Sequence, residues 1–420
     1  MEAATVAISA GDTAWILTSS ALVLLMTLPG LALFYGGLVR SKNVLSILMQ
    51  CMICAGLVGV LWIIIGYTLA FGEGNAFVGG LSKLGLAGIT PETVSGTIPE
   101  YVFVMFQAMF AIITPALMIG AFAERMRFGP YLAFIGLWVL VIYAPLAHMV
   151  WGGGWIGGRL GALDFAGGLV VHMSSGFSAL AAAIFLGPRS GYGSEPMPPH
   201  NLPFTVIGAA LLWVGWFGFN AGSALAADGT AGLAFLTTHT ATATAVLGWV
   251  IIEWLHRGKP TVLGAATAAV AGLVAITPAC AFVSPMGSIA TGLGAAVICY
   301  VFVTLVKPVA GYDDSLDVFG VHGIGGAWGA FATGLFIAPF ALPEGVSWMS
   351  QIGAQLTSIG FVAIFAPALT LVLLSLLKAV FGDLRIDAEG EHEGLDLSLH
   401  SESAYTQSTA PLAGHTTRAE

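Results

Sequence analysis

Leu163-Asp164-Phe165-Ala166-Gly167-Gly168-Leu169-Val170-Val171-His172 places one acid, a glycine pair and one histidine in an otherwise apolar run. An aspartate ahead of a helix accepts the N–H groups that the first turn leaves unpaired. A histidine deeper in such a run is a polar group where polarity is costly, and so a candidate for function. A second stretch, Leu316-Asp317-Val318-Phe319-Gly320-Val321-His322-Gly323, repeats the scheme of acid, glycine and histidine. Asp317 stands five residues before His322, whereas Asp164 stands eight before His172. If the first helix runs inward and the second outward, the two are mates in an inverted repeat. His172 and His322 are then expected to meet near the middle of the bundle, with Asp164 and Asp317 as structural supports at the helix starts.

The rest of the chain says what surrounds them. Hydrophobic residues make up 57% of the 420 and charged residues only 8%. A water-soluble domain carries about 25% charged residues, so lipid is the main solvent and a soluble enzyme or a nucleic-acid binder is excluded. Apolar runs of membrane length fall at about 14–39, 44–71, 101–123, 131–149, 167–187, 203–223, 231–255, 261–281, 286–306, 318–339 and 350–378. The expected fold is all-α, with eleven transmembrane helices. Two repeat halves of five (about 14–187 and 203–339) precede an extra C-terminal helix (about 350–378). With the N-terminus outside, eleven of the thirteen Lys and Arg residues fall on the cytoplasmic side, and only Lys83 and Arg159 outside. That bias is the positive-inside pattern. No basic stretch precedes the first apolar run, so no cleaved signal peptide is expected. Residues 1–380 form the membrane domain, and 381–420 an acidic, cytoplasmic tail expected to be partly disordered. Gly120-Ala-Phe-Ala and Gly323-Ile-Gly-Gly read as close helix contacts. Cys51, Cys54, Cys280 and Cys299 read as small core residues, with no disulfide and no metal site.

Other ionisable groups have plain readings. Glu124 with Arg125 and Arg127 reads as a cytoplasmic anchor, Glu253 as a helix-end group, and His239 as a structural or subunit-contact residue. Phe106, Phe110, Trp151, Trp216, Phe217 and Phe219 fit an interfacial aromatic belt or, alternatively, a cation–π cage. Composition favours the belt.

Four runs carry a family resemblance: Ala147-His-Met-Val-Trp-Gly-Gly-Gly154, Asp164 to His172, Gly215-Trp-Phe-Gly-Phe-Asn-Ala-Gly-Ser223 and Asp317-Val-Phe-Gly-Val-His-Gly323. With Ala123-Glu-Arg-Met-Arg-Phe128 and Gly394-Leu-Asp…His400…Ala404-Tyr405, the chain resembles the ammonium transporter family (Amt/Mep/Rh), on its bacterial side. The resemblance implies a homotrimer in the inner (plasma) membrane with one pore per subunit. It implies an outer ammonium site at Trp151 and Ser223 with Phe110 and Phe106, and a gate of Phe110 over Phe219. Below these come Trp216 on the wall and His172 with His322 as twin histidines. It also implies that the tail, with Gly394, Asp396 and Tyr405, receives a PII-type signalling protein. Pro115 departs from the pattern and puts a kink near Phe110 in question.

The expected function is transport: ammonium, with methylammonium as analogue, is recruited outside, loses its proton and crosses as ammonia, with or without separate proton transfer. No cofactor and no enzyme activity are expected. The alternatives are an electroneutral ammonia or carbon dioxide gas channel, and an ammonium sensor signalling through its tail.

Overall fold

The computed structural model describes residues 7–405. Nine of its helices are long and apolar enough to cross a membrane among these residues. They are α1 (Ala10–Leu38), α2 (Ser41–Phe71), α3 (Glu100–Phe122), α4 (Phe128–Arg159), α5 (Gly168–Leu186), α6 (Leu202–Gly222), α7 (Gly229–Arg257), α9 (Pro285–Ala310) and α11 (Trp348–Phe381). Two shorter helices complete the bundle: α8 (Val262–Ile276), and α10, in which Phe319–Gly323 runs into Ile324–Leu335. Each overlaps a run read from sequence, and the largest difference is at α4, which ends at Arg159 rather than near 149. Helices are the expected solution because lipid offers no partner for a free N–H or C=O. Many starts are sealed by a side chain: Ser9 for α1, Asn201 for α6, Asp228 for α7, Thr261 for α8, Ser284 for α9 and Ser347 for α11. The bundle's outside is greasy, with Val309 89% and Leu255 83% exposed, a surface water would not tolerate.

Lipid tails are as apolar as leucine, so helix contacts here depend on close backbone approach rather than on the hydrophobic effect. One close crossing joins α5 to α10. A Cβ on Gly176 would lie 2.1 Å from the Gly323 nitrogen, and one on Gly326 would lie 2.9 Å from the Gly168 oxygen. Helix α1 packs along α6, and α11 packs on α4, α5 and α10. The four cysteines are buried and free, as expected.

Between α2 and α3 lies a two-stranded hairpin, β1 (Val94–Ser95) with β2 (Ile98–Pro99), which the sequence reading did not foresee. Pro115 sits inside α3, whose winding breaks at Met118 (ψ −4°). Phe110 lies in the unbroken part, so the proline leaves its position intact.

The opposite end of the bundle corrects one expectation and fills in another. Glu124 and Arg125 are no interfacial anchor: they are 1% and 0% exposed. Glu124 pairs with Arg40 at 2.6 Å and Arg189 at 3.2 Å, and Asp313 with Arg189 at 2.9 Å and Arg125 at 3.2 Å. Burial opposes the Glu124 charge, but Arg189 and Arg40 hold its carboxyl below the ordinary value. Asp313 behaves likewise, with burial overcome by Arg189 and then Arg125. Nor is the described part of the tail disordered. It forms α12 (Ala388–Glu393) and α13 (Leu395–His400). Both are docked: Asp396 accepts the Leu45 and Ser46 amides at 3.0 and 2.8 Å, Lys42 reaches the Glu391 carbonyl at 3.1 Å, and Tyr405 meets His200 at 2.9 Å. Gly394 has φ +105° and backs onto Lys42, where a Cβ would lie 2.5 Å from the Lys42 oxygen. The reading of residues 406–420 as part of a loose tail lies outside the described residues.

Candidate functional site

A line of aromatic and imidazole rings runs through the bundle from the Ser223 end to the tail end. It begins in a vestibule of about 340 Å³ lined by Phe103, Gln107, Phe110, Trp151, Phe165 and Ser223, with Phe71 and Leu225 at its edges. Trp151 stands edge-on to Phe110 (6.2 Å, 83°), and its Nε1 donates to the Asp164 carbonyl at 2.8 Å. Ser223 donates to the Phe219 carbonyl at 2.8 Å. That bond uses the hydroxyl's one hydrogen and leaves its lone pairs to accept from a ligand. Phe106 is not in the lining. It packs against Phe110 at 4.9 Å and 66°.

Next to the vestibule Phe110 and Phe219 lie in contact, with ring centroids 4.2 Å apart and 37° between planes. Beneath them His172 stacks on Trp216 (5.4 Å, 23°) and lies 5.9 Å from Phe219. The Trp216 Nε1 is occupied by Thr277 Oγ1 at 2.8 Å, so that wall presents an apolar face only. His172 Nδ1 and His322 Nδ1 are 3.2 Å apart. If both rings are neutral, one nitrogen donates and the other accepts. His172 Nε2 is buried with no hydrogen-bond partner among the described residues. Buried polar atoms are normally paired, so this nitrogen is open to a hydrogen bond with a transient partner. The space around the pair is about 10 Å³, walled by Ile113, Leu117, Val171, Leu212 and Val270. That is near the minimum for one water molecule. His322 then opens into a second cavity of about 640 Å³ with Ser315, Asp317, Glu253 and Arg257 on its walls.

Both helix starts are visible. The Asp164 carboxylate accepts four amides, Gly167 and Gly168 on one oxygen (2.8 and 2.6 Å), Leu169 and Val170 on the other (2.8 and 3.2 Å). Gly167 supplies the φ of +121° that this turn requires. Asp317 does not play the matching part. It has φ +56° and its carboxylate holds Lys307 at 2.5 Å. The cap of α10 is Asp314, which accepts the Phe319 amide at 2.8 Å. Asp314 stands eight residues before His322, the spacing of Asp164 to His172. The mismatch between the two stretches therefore came from pairing the wrong acid. Of the aromatics, Trp216, Phe110 and Phe219 are buried along the line rather than in a belt; Phe217 faces outward, stacked on Phe235 at 3.9 Å. His239 is exposed beside Trp213, and Glu253 holds Thr261 at the start of α8. His148, which carried no reading, is a structural histidine bonded to the Ala70 and Asn75 carbonyls.

The site can be set beside known proteins. Residues 14–405 match the Ammonium Transporter Family. An ammonium transporter of Bacillus subtilis (strain 168) is 50% identical over 406 residues, 95% of this chain and 99% of that one. Ammonium transporter Amt1 of Archaeoglobus fulgidus is 43% identical over 410 residues, 95% and 100% of the two chains. Among solved structures, Candida albicans Mep2 superposes with a TM-score of 0.84 at 37% identity over 91% of this chain and 87% of its own. A sensor Amt protein superposes with a TM-score of 0.87 at 30% identity, over 92% and 98%.

Proposed function

Because the chain belongs to the ammonium transporter family, we propose that it moves ammonium across a membrane along the line from Trp151 to His322. The observation that carries this reading is the histidine pair, 3.2 Å apart between two open cavities, with His172 Nε2 unpaired. Counting α8 and α10 as spans gives eleven, with the vestibule outside and the tail in the cytoplasm. The matched Asp-to-His spacings support an inverted repeat of α1–α5 and α6–α10. The membrane is the cell's inner one. Three copies assemble, each with its own pore, and a PII-type protein docks at the tail end.

The chemistry follows from cost. Ammonium is a small cation with four N–H donors. In the vestibule it finds ring faces, worth about 0.5–2 kcal/mol per contact, and a hydroxyl acceptor at Ser223. Potassium has no N–H to give and gains less. Moving the ion past Phe110 and Phe219 costs on the order of 20 kcal/mol in the idealised low-dielectric limit. Desolvation therefore favours the neutral form, as it does for a buried lysine. Ammonium releases its proton at the gate and ammonia passes the imidazoles. The proton follows separately along the histidine pair or returns outside. Aromatic faces are of no use to a neutral gas, which sets this reading above carbon dioxide or urea conduction.

The test is current across sealed liposomes during an ammonium pulse, with and without His172→Ala. A saturable, ammonium-specific current that loses its selectivity in the variant is expected. Undiminished selective current in the variant overturns the relay. Internal alkalinisation without current means that ammonia alone crosses.

A further inference from the structure

Helix α11 stands outside both five-helix halves, yet it carries two fully buried amides one turn apart, Gln351 and Gln355. A buried amide in an apolar helix is costly unless paired. Gln355 is saturated. Its Oε1 accepts the Leu163 amide at 2.7 Å and Gln351 Nε2 at 3.2 Å, and its Nε2 donates to the Leu163 carbonyl at 2.8 Å and the Ala330 carbonyl at 2.9 Å. Gln351 also donates to the Gly161 carbonyl at 3.1 Å. One side chain thus pairs with both polar groups of Leu163, much as a neighbouring strand would.

What hangs from Leu163 gives this its consequence. The next residue is Asp164. Its carbonyl fixes the Trp151 indole and its carboxylate caps the helix that carries His172. Ala330 lies on α10, the helix that carries His322. We infer that Gln355 is a positioning residue of the outer cation site: through Leu163 it sets where Asp164 holds the Trp151 ring opposite Ser223. The inference rests on the reading of Trp151 and Ser223 as that site. A glutamine that only glued α11 to the bundle would affect how much folded protein there is, and not how the site binds.

The test is methylammonium uptake into proteoliposomes of the full chain, comparing Gln355→Leu, Gln355→Glu and Trp151→Leu. Gln355→Leu removes all four bonds and is expected to raise KM about tenfold, the scale of a small misplacement at a binding group, with maximal rate within about threefold. Gln355→Glu keeps an acceptor for the Leu163 amide and is expected to fall between the two. A wild-type KM in Gln355→Leu beside a raised KM in Trp151→Leu overturns the inference. A wild-type KM in Trp151→Leu overturns the reading of the outer site itself. If Gln355→Leu does not fold, Gln355→Glu decides: a lowered Tm with unchanged KM makes the residue structural and overturns its positioning role.

Discussion

At the vestibule end Asp164 starts α5 with four N–H groups on its carboxylate. At the tail end Asp314 starts α10 with one side-chain bond, and its Oδ1 has no hydrogen-bond partner among the described residues. Both stand eight residues before a histidine. The backbone plan is shared and the surroundings are not. Around Asp164 are rings and a serine, and the acid is fully used in holding the turn from which Trp151 is fixed. Around Asp314 are Lys307, Asp317 and the Arg–carboxylate cluster, and the acid is one charge among several. Two helix starts of one pattern thus serve an end lined by aromatic rings and an end that is held together by ion pairs.

The comparison can be broken most directly at the acids. Asp164→Ala leaves four buried donors without a partner, at about 1–3 kcal/mol each as an upper range. We expect saturable methylammonium uptake to fall about 100-fold or more. Asp314→Ala orphans one, and uptake should stay within about fivefold of wild type. Equal losses would mean that the two starts are equivalent. Next is Ser223→Ala, which removes the hydroxyl acceptor of the vestibule. A hydrogen bond to a charged group is worth about 1.5–3 kcal/mol, so KM should rise about tenfold or somewhat more. An unchanged KM would mean that the Ser223 hydroxyl does not hold the ion.

The smallest effect belongs to the tail end and is read as pH dependence. Glu124 and Asp313 have carboxyls lowered in the fold, with burial outweighed by their arginines. A lowered carboxyl stabilises fully above its unfolded value of about 4 and loses that contribution as pH falls through the lower folded value. The detergent-solubilised protein should hold its Tm from about pH 7 to pH 5 and lose it below about pH 4. Glu124→Gln should be less stable at neutral pH, with the gap closing in acid. A gap that widens in acid would contradict the cluster's role.

How much was legible in the sequence follows the same division. Spans are set by composition over some twenty residues, so all eleven apolar runs appear as helices. His172 and His322 could be paired because two similar stretches gave them a common frame. Asp317 was mistaken for the cap because it sits closest to the glycine and histidine; the eight-residue count pointed to Asp314, but only the bond to Phe319 makes that plain. Phe110, Phe219 and Trp216 could not be told from a belt, since a lipid-facing ring and a ring buried inside the bundle leave the same trace in a helix. Glu124 and Arg125 looked like surface charges because their partners, Arg40, Arg189 and Asp313, lie far away in sequence. The tail read as loose from its acidity, whereas its docking uses Asp396 on backbone amides and Lys42 on backbone carbonyls, which hydropathy does not register.

The crossing of Gly176 on Gly323 has one more consequence. The separation of the two imidazoles is set by main chain resting on main chain, with no side chain between that could be trimmed or enlarged. On the path proposed above, the gap at that depth is a fixed gauge. Exchanging residues around it would change the chemistry of its wall, but a wider gap would require the two helices themselves to be re-laid.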